Sequence, residues 1–343
     1  MEPPRGQDLV FIILMVLFCF VGIPISVKKG DNGVIANHEE TFQDFMVKHG
    51  KLYKKGSSEY NNRLKNFEES LKRIQNQNNR RTSTRDAVYG ITPFSDLSPD
   101  EFTKRHLLKY QPRQNLGKPP QLLKAIKTPE KFDWREKNVI TAIKDQGNCG
   151  ACWAFSIVEC IETMNAIHGA PLQSLSVQQI IDCAENGNQG CAGGNTCTAL
   201  NWLVETNTPV VSEGKYPLTL LDGKCQLPKP KTGIRVASNF TCKNFEGQED
   251  GILELLASHG PVAVAVDGTS WQDYLGGIIQ YHCESNLNHA VQIVGYDKTG
   301  DVPYYIVRNS WGTKFGLDGY LHIAIGSNQC GIALEVASLD VLP

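Results

Sequence analysis

QGNCGACWAFS, residues 146–156, sets Cys149 and Cys152 three positions apart, ahead of an aromatic and apolar run. A Cys-x-x-Cys pair can be a redox dithiol, half of a zinc site, or two cysteines with separate jobs. The redox reading expects an exposed first cysteine in a strand–helix–strand unit, and no such unit surrounds the motif. The zinc reading needs two more ligands, for which Cys183, Cys191 and Cys197 lie near in sequence. Which sulfur reacts depends on what the rest of the chain supplies.

The 343 residues leave room for one large or two ordinary domains. With 34 basic and 36 acidic residues, overall charge gives no case for nucleic acid as a partner. The balance is uneven along the chain. Residues 28–127 hold 20 basic and 11 acidic side chains, a net of +9, whereas residues 128–343 hold 13 and 23, a net of −10. Parts of opposite sign attract, and acid weakens the attraction by protonating carboxylates. The alternative is two independently solvated surfaces.

Near the N-terminus, LVFIILMVLFCFVGIPI (residues 9–25) is 17 uncharged residues preceded by Arg5. That length is short for a membrane span and right for a signal-peptide core, so residues 1–27 are expected to be removed. No small-x-small cleavage site follows, which keeps an uncleaved anchor as the alternative. Passage through the secretory route would place the eleven cysteines in an oxidising compartment, where disulfides are favoured over thiolate zinc sites. The sequon Asn239-Phe240-Thr241 fits the same route as a glycosylation site.

Hydrophobic spacing organises the remainder. Tyr60, Leu64, Phe67, Leu71 and Ile74 step by 4, 3, 4 and 3, one stripe of an amphipathic helix. Ser98-Pro99-Asp100-Glu101 reads as a helix start. Residues 109–131, rich in Pro and Lys, read as a linker open to proteolysis. Beyond it, residues 152–168 and 195–205 read as helices, and 262–266, 290–296, 304–309 and 320–325 as strands. A helical part followed by a strand-rich part predicts an α+β body of two lobes.

Cys149-Gly150-Ala151-Cys152-Trp153 resembles the nucleophile motif of papain-like cysteine proteases, the cathepsin family. His289 in NHAVQIVGY lies 137 residues beyond Cys152, and Asn309 in VRNSWG lies 157 beyond. The resemblance runs from about residue 41 to the end. It implies a papain-like two-lobed fold, a helical lobe plus a β-barrel-like lobe with the active-site cleft between, preceded by a helical inhibitory prodomain. It implies that Cys152 is the nucleophile. At a helix N-terminus beside an imidazolium, its thiol pKa would fall to about 3–4 as in papain-like enzymes. His289 would protonate the leaving amine, Asn309 would orient the ring, and Trp311 would shield that contact. Gln146 would aim its amide at the developing oxyanion. Cys149 then has another task.

The same resemblance implies the disulfides Cys149–Cys191, Cys183–Cys225 and Cys283–Cys330. Cys160, Cys197 and Cys242 are left over, and at least one should be unpaired in a monomer. Gly193 and Gly194 would let a substrate backbone approach. The floor of the pocket for the second residue before the cleaved bond falls on Glu335, with Ala265, Leu287 and Ala290 as walls. Cathepsin B also has Glu at this place and accepts Arg there, so Glu335 could pair bidentately with a substrate guanidinium. The inhibitory motif of such prodomains is matched by Glu59, Arg63, Phe67, Ile74 and Asn78, with Ser70 in place of an Asn. A second motif is matched by Gly90, Phe94 and Asp96, with Thr92 in place of an Asn.

Taken together, residues 28–127 are expected to be an inhibitory prodomain with its activation linker, and residues 128–343 the peptidase. The expectation is a lysosomal or extracellular cysteine endopeptidase, monomeric and free of metal or cofactor, acting on peptides and proteins. Its own prodomain would be its inhibitor, and no stable membrane association would remain after processing. An inactive papain-like binding protein and a dithiol oxidoreductase are the alternatives.

Overall fold

The prodomain stripe folds as anticipated. In the computed structural model, which describes residues 38–107, 116–119, 127–227, 230–281 and 283–342, helix α1 (His38–His49) packs on α2 (Ser58–Asn78). Ser57 caps α2 by accepting from the Tyr60 backbone N–H. Phe42, Phe45, Tyr60 and Phe67 are buried together as a small aromatic core. The expected signal segment and most of the expected linker lie outside the described residues.

The prodomain's polar motif residues hold its turns. Arg63 donates to the Asp96 carbonyl and to Glu101, and Asp96 takes Lys51 at 3.0 Å and the Tyr53 hydroxyl at 2.6 Å. Thr92, standing where an Asn was expected, donates its hydroxyl to the Gln272 carbonyl at 2.6 Å, so the substitution still serves docking. Strand β1 (Val88–Tyr89) ends in two residues, tied by Asn78 to the end of α2. Helix α3 (Pro99–His106) opens on a full capping box between Ser98 and Glu101.

The remainder divides into two cores. The helical one is built on α4 (Cys152–Ile167), α5 (Val177–Cys183) and α6 (Thr196–Glu205). The other packs α7 (Asp250–Ser258) on a sheet. Its strands are β2 (Lys131–Asp133), β3 (Thr241–Lys243), β4 (Val262–Val266), β6 (Ile278–Ile279), β7 (His289–Asp297), β8 (Tyr304–Arg308), β9 (Tyr320–Ala324) and β10 (Val336–Ser338). The order is β3-β10-β4-β7-β8-β9-β6, with β2 added on β7. The end strands β3 and β6 do not pair with each other, so the lobe is an open sheet and not the closed barrel its expected name suggests. They are three and two residues long, and the outer edge of β6 is met by the backbone of Arg85 and Ala87, which bonds to Ile278.

Strand β4, VAVAV, is buried on both faces. Its valines enter the sheet's own core, while Ala263, with Ala290 and Ala337 from neighbouring strands, enters the helical core. Alanine is small enough to let α4 approach the sheet closely. The prodomain docks on the segment that follows β4, a helical turn (Thr269–Asp273) running into a short strand. Strand β1 pairs antiparallel with β5 (Tyr274–Gly276), and Gln272 donates to the carbonyls of Phe94 and Leu97. The ion pair Arg73–Asp273, at 2.6 Å, crosses from prodomain to peptidase.

Disulfides join Cys149–Cys191, Cys183–Cys225, Cys283–Cys330 and Cys197–Cys242. The fourth uses two of the three cysteines that the sequence left over. It ties α6 to β3, one lobe to the other, which sequence spacing does not reveal. Cys160 remains free and buried, so one leftover cysteine is indeed unpaired. Replacing both Cys197 and Cys242 by Ser should lower unfolding stability by roughly 2–5 kcal/mol, read from a urea midpoint. An unchanged midpoint would show that this bridge is not a stabilising tie.

Candidate active site

Two elements meet at their ends. Cys152 is the first residue of α4, and His289 is the first residue of β7. Both are fully buried, and Cys152 is a free thiol. The backbone N–H groups of Ala290, next to His289, and of Trp153 favour the Cys152 thiolate. Cys149 is bonded to Cys191, which settles the opening ambiguity: the two sulfurs of the Cys-x-x-Cys do not form a dithiol pair.

The imidazole is oriented by its far nitrogen. His289 Nε2 lies 2.8 Å from Asn309 Oδ1, which also accepts the Ser310 backbone N–H at 2.8 Å. An oxygen only accepts, so Nε2 bears the proton and Nδ1 is left as a base. Nδ1 is buried without a hydrogen-bond partner among the described residues. Trp311 stacks on the His289 ring at 4.7 Å between centroids and 28° between planes, covering the contact with Asn309.

Gln146 is fully buried and fixed at both ends of its amide. Its oxygen accepts from the Ser310 hydroxyl at 2.6 Å. Its nitrogen donates to the Cys149 carbonyl at 3.1 Å and, at 3.4 Å, to the carbonyl of His106. The last of these belongs to the prodomain. A prodomain carbonyl thus occupies the donor that would meet a substrate oxyanion. Leu107 lies beside it: a Cβ at Gly268 would be 3.0 Å from Leu107 Cδ2 and 3.4 Å from His289 Cβ.

Covering the site changes its protonation. Burial pushes the Cys152 thiol up to about 12, against the pull of the nearby backbone N–H groups. Burial likewise pushes His289 down to about 4, against the hydrogen bond from Asn309. The low thiol pKa expected from the helix terminus is therefore overridden while the prodomain sits in place. Desolvation favours the neutral thiol and imidazole, a dormant pair.

The other anticipated residues fall as follows. Glu335 is 1% exposed, and its Oε1 accepts from Asn195 Nδ2 at 2.7 Å. Ala265 pairs with Ala290 across β4 and β7, and its N–H donates to the Glu335 carbonyl. Leu287 is half-buried against Gly331. Gly193 adopts φ +128°, open only to glycine, whereas Gly194 is required by the Trp153 ring, 2.6 Å from where its Cβ would be. Asn239 is exposed in the turn before β3. Sequence reasoning missed Asn195, whose only local signal is that of a helix cap.

Comparison with known proteins agrees with this arrangement. Residues 128–339 match the papain family cysteine protease description, and residues 42–102 match the cathepsin propeptide inhibitor domain. The chain belongs to the papain family of cysteine proteases. It is 46% identical to cathepsin O of Mus musculus, over 80% of this chain and 88% of the relative. It is 44% identical to cathepsin O of Homo sapiens, over 80% and 87%. Among solved structures, procathepsin L2 from Tenebrio molitor larval midgut matches with a TM-score of 0.79 at 31% identity, over 88% of this chain and 99% of that one. The chain is a cathepsin O-like protease with an inhibitory propeptide.

His106 is the group expected to make this inhibition sensitive to pH. Its ring lies 4.6 Å from that of Phe94, 5.4 Å from Phe102 and 6.0 Å from Trp311, centroid to centroid. Burial, and behind it the charges of Arg105 and Lys51, push the imidazole down from 6.5 to about 4. A cavity of about 590 Å³ that also exposes Lys314 and Asp145 lets solvent protons reach it. To the extent that docking against Trp311 adds to this burial, docking excludes the proton, so it is fully supported above pH 6.5 and weakened as pH falls toward 4. Glu101 acts in the same direction. Against the upward push of burial, the Ser98 N–H and Arg63 hold its carboxyl below the usual range, so acid also loosens α3. A separate prodomain spanning residues 41–110 should lose potency against the mature enzyme between pH 7 and 4.5. His106→Phe, which keeps the packing and cannot titrate, should flatten that loss. Inhibition constants with identical pH dependence for both prodomains would rule His106 out.

Proposed function

We propose that Cys152 is the nucleophile of a cysteine endopeptidase made as an autoinhibited precursor. The observation that supports it best is the His289 ring, whose Nε2 is committed to Asn309 and whose Nδ1 is left without a hydrogen-bond partner among the described residues, at the start of the strand that the Cys152 helix packs against. Once the prodomain leaves, water returns to the cleft and the α4 N-terminus favours thiolate, with the proton on His289 Nδ1. The thiolate attacks the scissile carbonyl carbon. The oxyanion is met by Gln146 Nε2 and the Cys152 backbone N–H. Collapse expels the amine, which takes the proton from His289 and leaves an acyl-thioester. Water, deprotonated by His289, then releases the acid and restores the thiol.

The peptidase would begin near Thr128, where the family match begins. The prodomain and its linker would occupy residues 28–127. Four disulfides favour a secreted or lysosomal destination, and exposed Asn239 is open to a glycan. The substrates are peptides and proteins. An inactive binding protein would need a lost Cys, His or Asn, and none is lost.

Cys152→Ser should abolish peptide hydrolysis while leaving a folded precursor. Gln146→Ala should lower kcat by about 10²–10³ through loss of one oxyanion donor. Full activity of the Cys152 variant, with loss on changing Cys149 alone, would overturn the assignment.

Glu335 would form the floor of the pocket for the second residue before the cleaved bond, between Ala265, Leu287 and Ala290. Support comes from its buried Oε2, which lacks a hydrogen-bond partner among the described residues. Peptides differing only in Arg or Leu at that position would be compared by kcat/KM. Glu335→Ala should lower the Arg-to-Leu ratio; an unchanged ratio would remove Glu335 from recognition.

A further inference from the structure

We infer that Asn195 is a positioning residue for substrate selection. Its side-chain amide fixes one oxygen of Glu335 and leaves the other to receive a cationic substrate side chain, that of Arg or Lys. This rests on the reading of Glu335 as a pocket floor and adds the residue that sets its geometry.

The amide of Asn195 cannot turn over. It caps α6, and its Oδ1 accepts from the Thr198 N–H at 2.9 Å and from the Thr198 hydroxyl at 3.2 Å. Its own N–H donates to Asn188 Oδ1 at 2.8 Å. With the oxygen committed to the helix, Nδ2 is the atom that reaches Glu335 Oε1, at 2.7 Å. Asn195 is itself only 7% exposed, so water does not compete strongly for this bond.

The two partners sit on different lobes, and a covalent link braces them. Cys197, two residues beyond Asn195, is bonded to Cys242 in β3. In the sheet, Cys242 lies opposite Ala337 and Lys243 opposite Val336, the residue after Glu335. The bridge therefore fixes the α6 cap against the strand that begins beside Glu335. The backbone segments that carry Asn195 and Glu335 are thereby held near each other.

The consequence lies in the second oxygen. Glu335 Oε2 is buried and lacks a partner among the described residues, an arrangement that a buried carboxylate tolerates poorly. A substrate cation supplies the missing donor. Oε1 already accepts one N–H whereas Oε2 accepts none, so Oε2 leads the contact with the cation, and a charge-assisted bond to that one oxygen is enough to hold it. A single oxygen serves an ammonium as well as a guanidinium, so Lys is accepted alongside Arg.

The test uses the activated enzyme and peptides identical except for Arg, Lys or Leu at the second residue before the cleaved bond. The variants are Asn195→Ser, Glu335→Gln and the double replacement. Serine keeps a side-chain oxygen to cap α6 but offers no amide donor. Asn195→Ser is expected to lower the Arg-to-Leu and Lys-to-Leu ratios of kcat/KM by about 5–10-fold, the scale of one ordinary net hydrogen bond. The loss should fall on KM, because the contact is distant from the cleaved bond and equal in ground and transition states. Hydrolysis of the Leu peptide should stay within about twofold, and the replacement should change no ratio in the Glu335→Gln background. An equal fall for all three peptides would make Asn195 merely structural, and unchanged ratios would remove it from selection; either result overturns the inference. If Glu335→Gln itself leaves the ratios unchanged, the pocket reading fails first, and the single-variant data show that directly.

Discussion

Everything at the catalytic centre depends on how near the N-terminus of α4 comes to the first residue of β7. The approach is possible because alanines, Ala263, Ala290 and Ala337, stand where the helix meets the sheet. Larger side chains there would push the helix away from the strand, and thiol and imidazole would separate. The same closeness lets the Ala290 N–H reach the Cys152 sulfur, so the backbone itself supports a thiolate once water is admitted. Packing and chemistry are therefore one constraint: a sheet buried on both faces, valine toward one core and alanine toward the other.

The prodomain exploits that centre by competing for its groups. The His106 carbonyl takes the donor of Gln146, and Leu107 closes on Gly268 next to His289. Desolvation then reverses the protonation that catalysis needs. Inhibition is thus steric and electrostatic together, and a proton that destabilises the docked His106 works against both. The overall charge asymmetry between the two parts enters through particular contacts. Burial raises the carboxyl of Asp273 in the pair with Arg73, so that pair is not where acid would weaken docking. Sign matters here: the caged imidazole of His106 and the capping carboxylate of Glu101 are weakened by acid, while Asp273 is not.

The proposed substrate selection rests on a similar meeting of distant parts. Glu335 belongs to the strand-rich lobe and Asn195 to the helical lobe, and the Cys197–Cys242 bridge crosses between them beside both. In that proposal, a buried carboxylate held by one oxygen has a defined direction in which to receive a cation. A freely rotating one would not.

The amino-acid sequence alone determined the features whose cause is local. The 4-3-4-3 stripe makes α2, the Ser98–Glu101 box starts α3, and the alternation in VAVAV makes β4, because periodicity and capping act within a few residues. The order of Gln146, Cys152, His289 and Asn309 was legible as a resemblance, and the structure brings these four together. Short elements were less visible. All seven residues of α5 are buried, Gln178, Gln179 and Asp182 among them, so no amphipathic period marks it. The tertiary structure decided what depends on partners far apart in the chain: the open sheet, the pairing of Cys197 with Cys242, the tautomer of His289, and the occupation of Gln146 by the prodomain. It also decided the protonation of the covered site. Sequence predicts an acidic thiol from a helix terminus, but burial depends on every element packed around the sulfur, and only the folded chain brings those elements together.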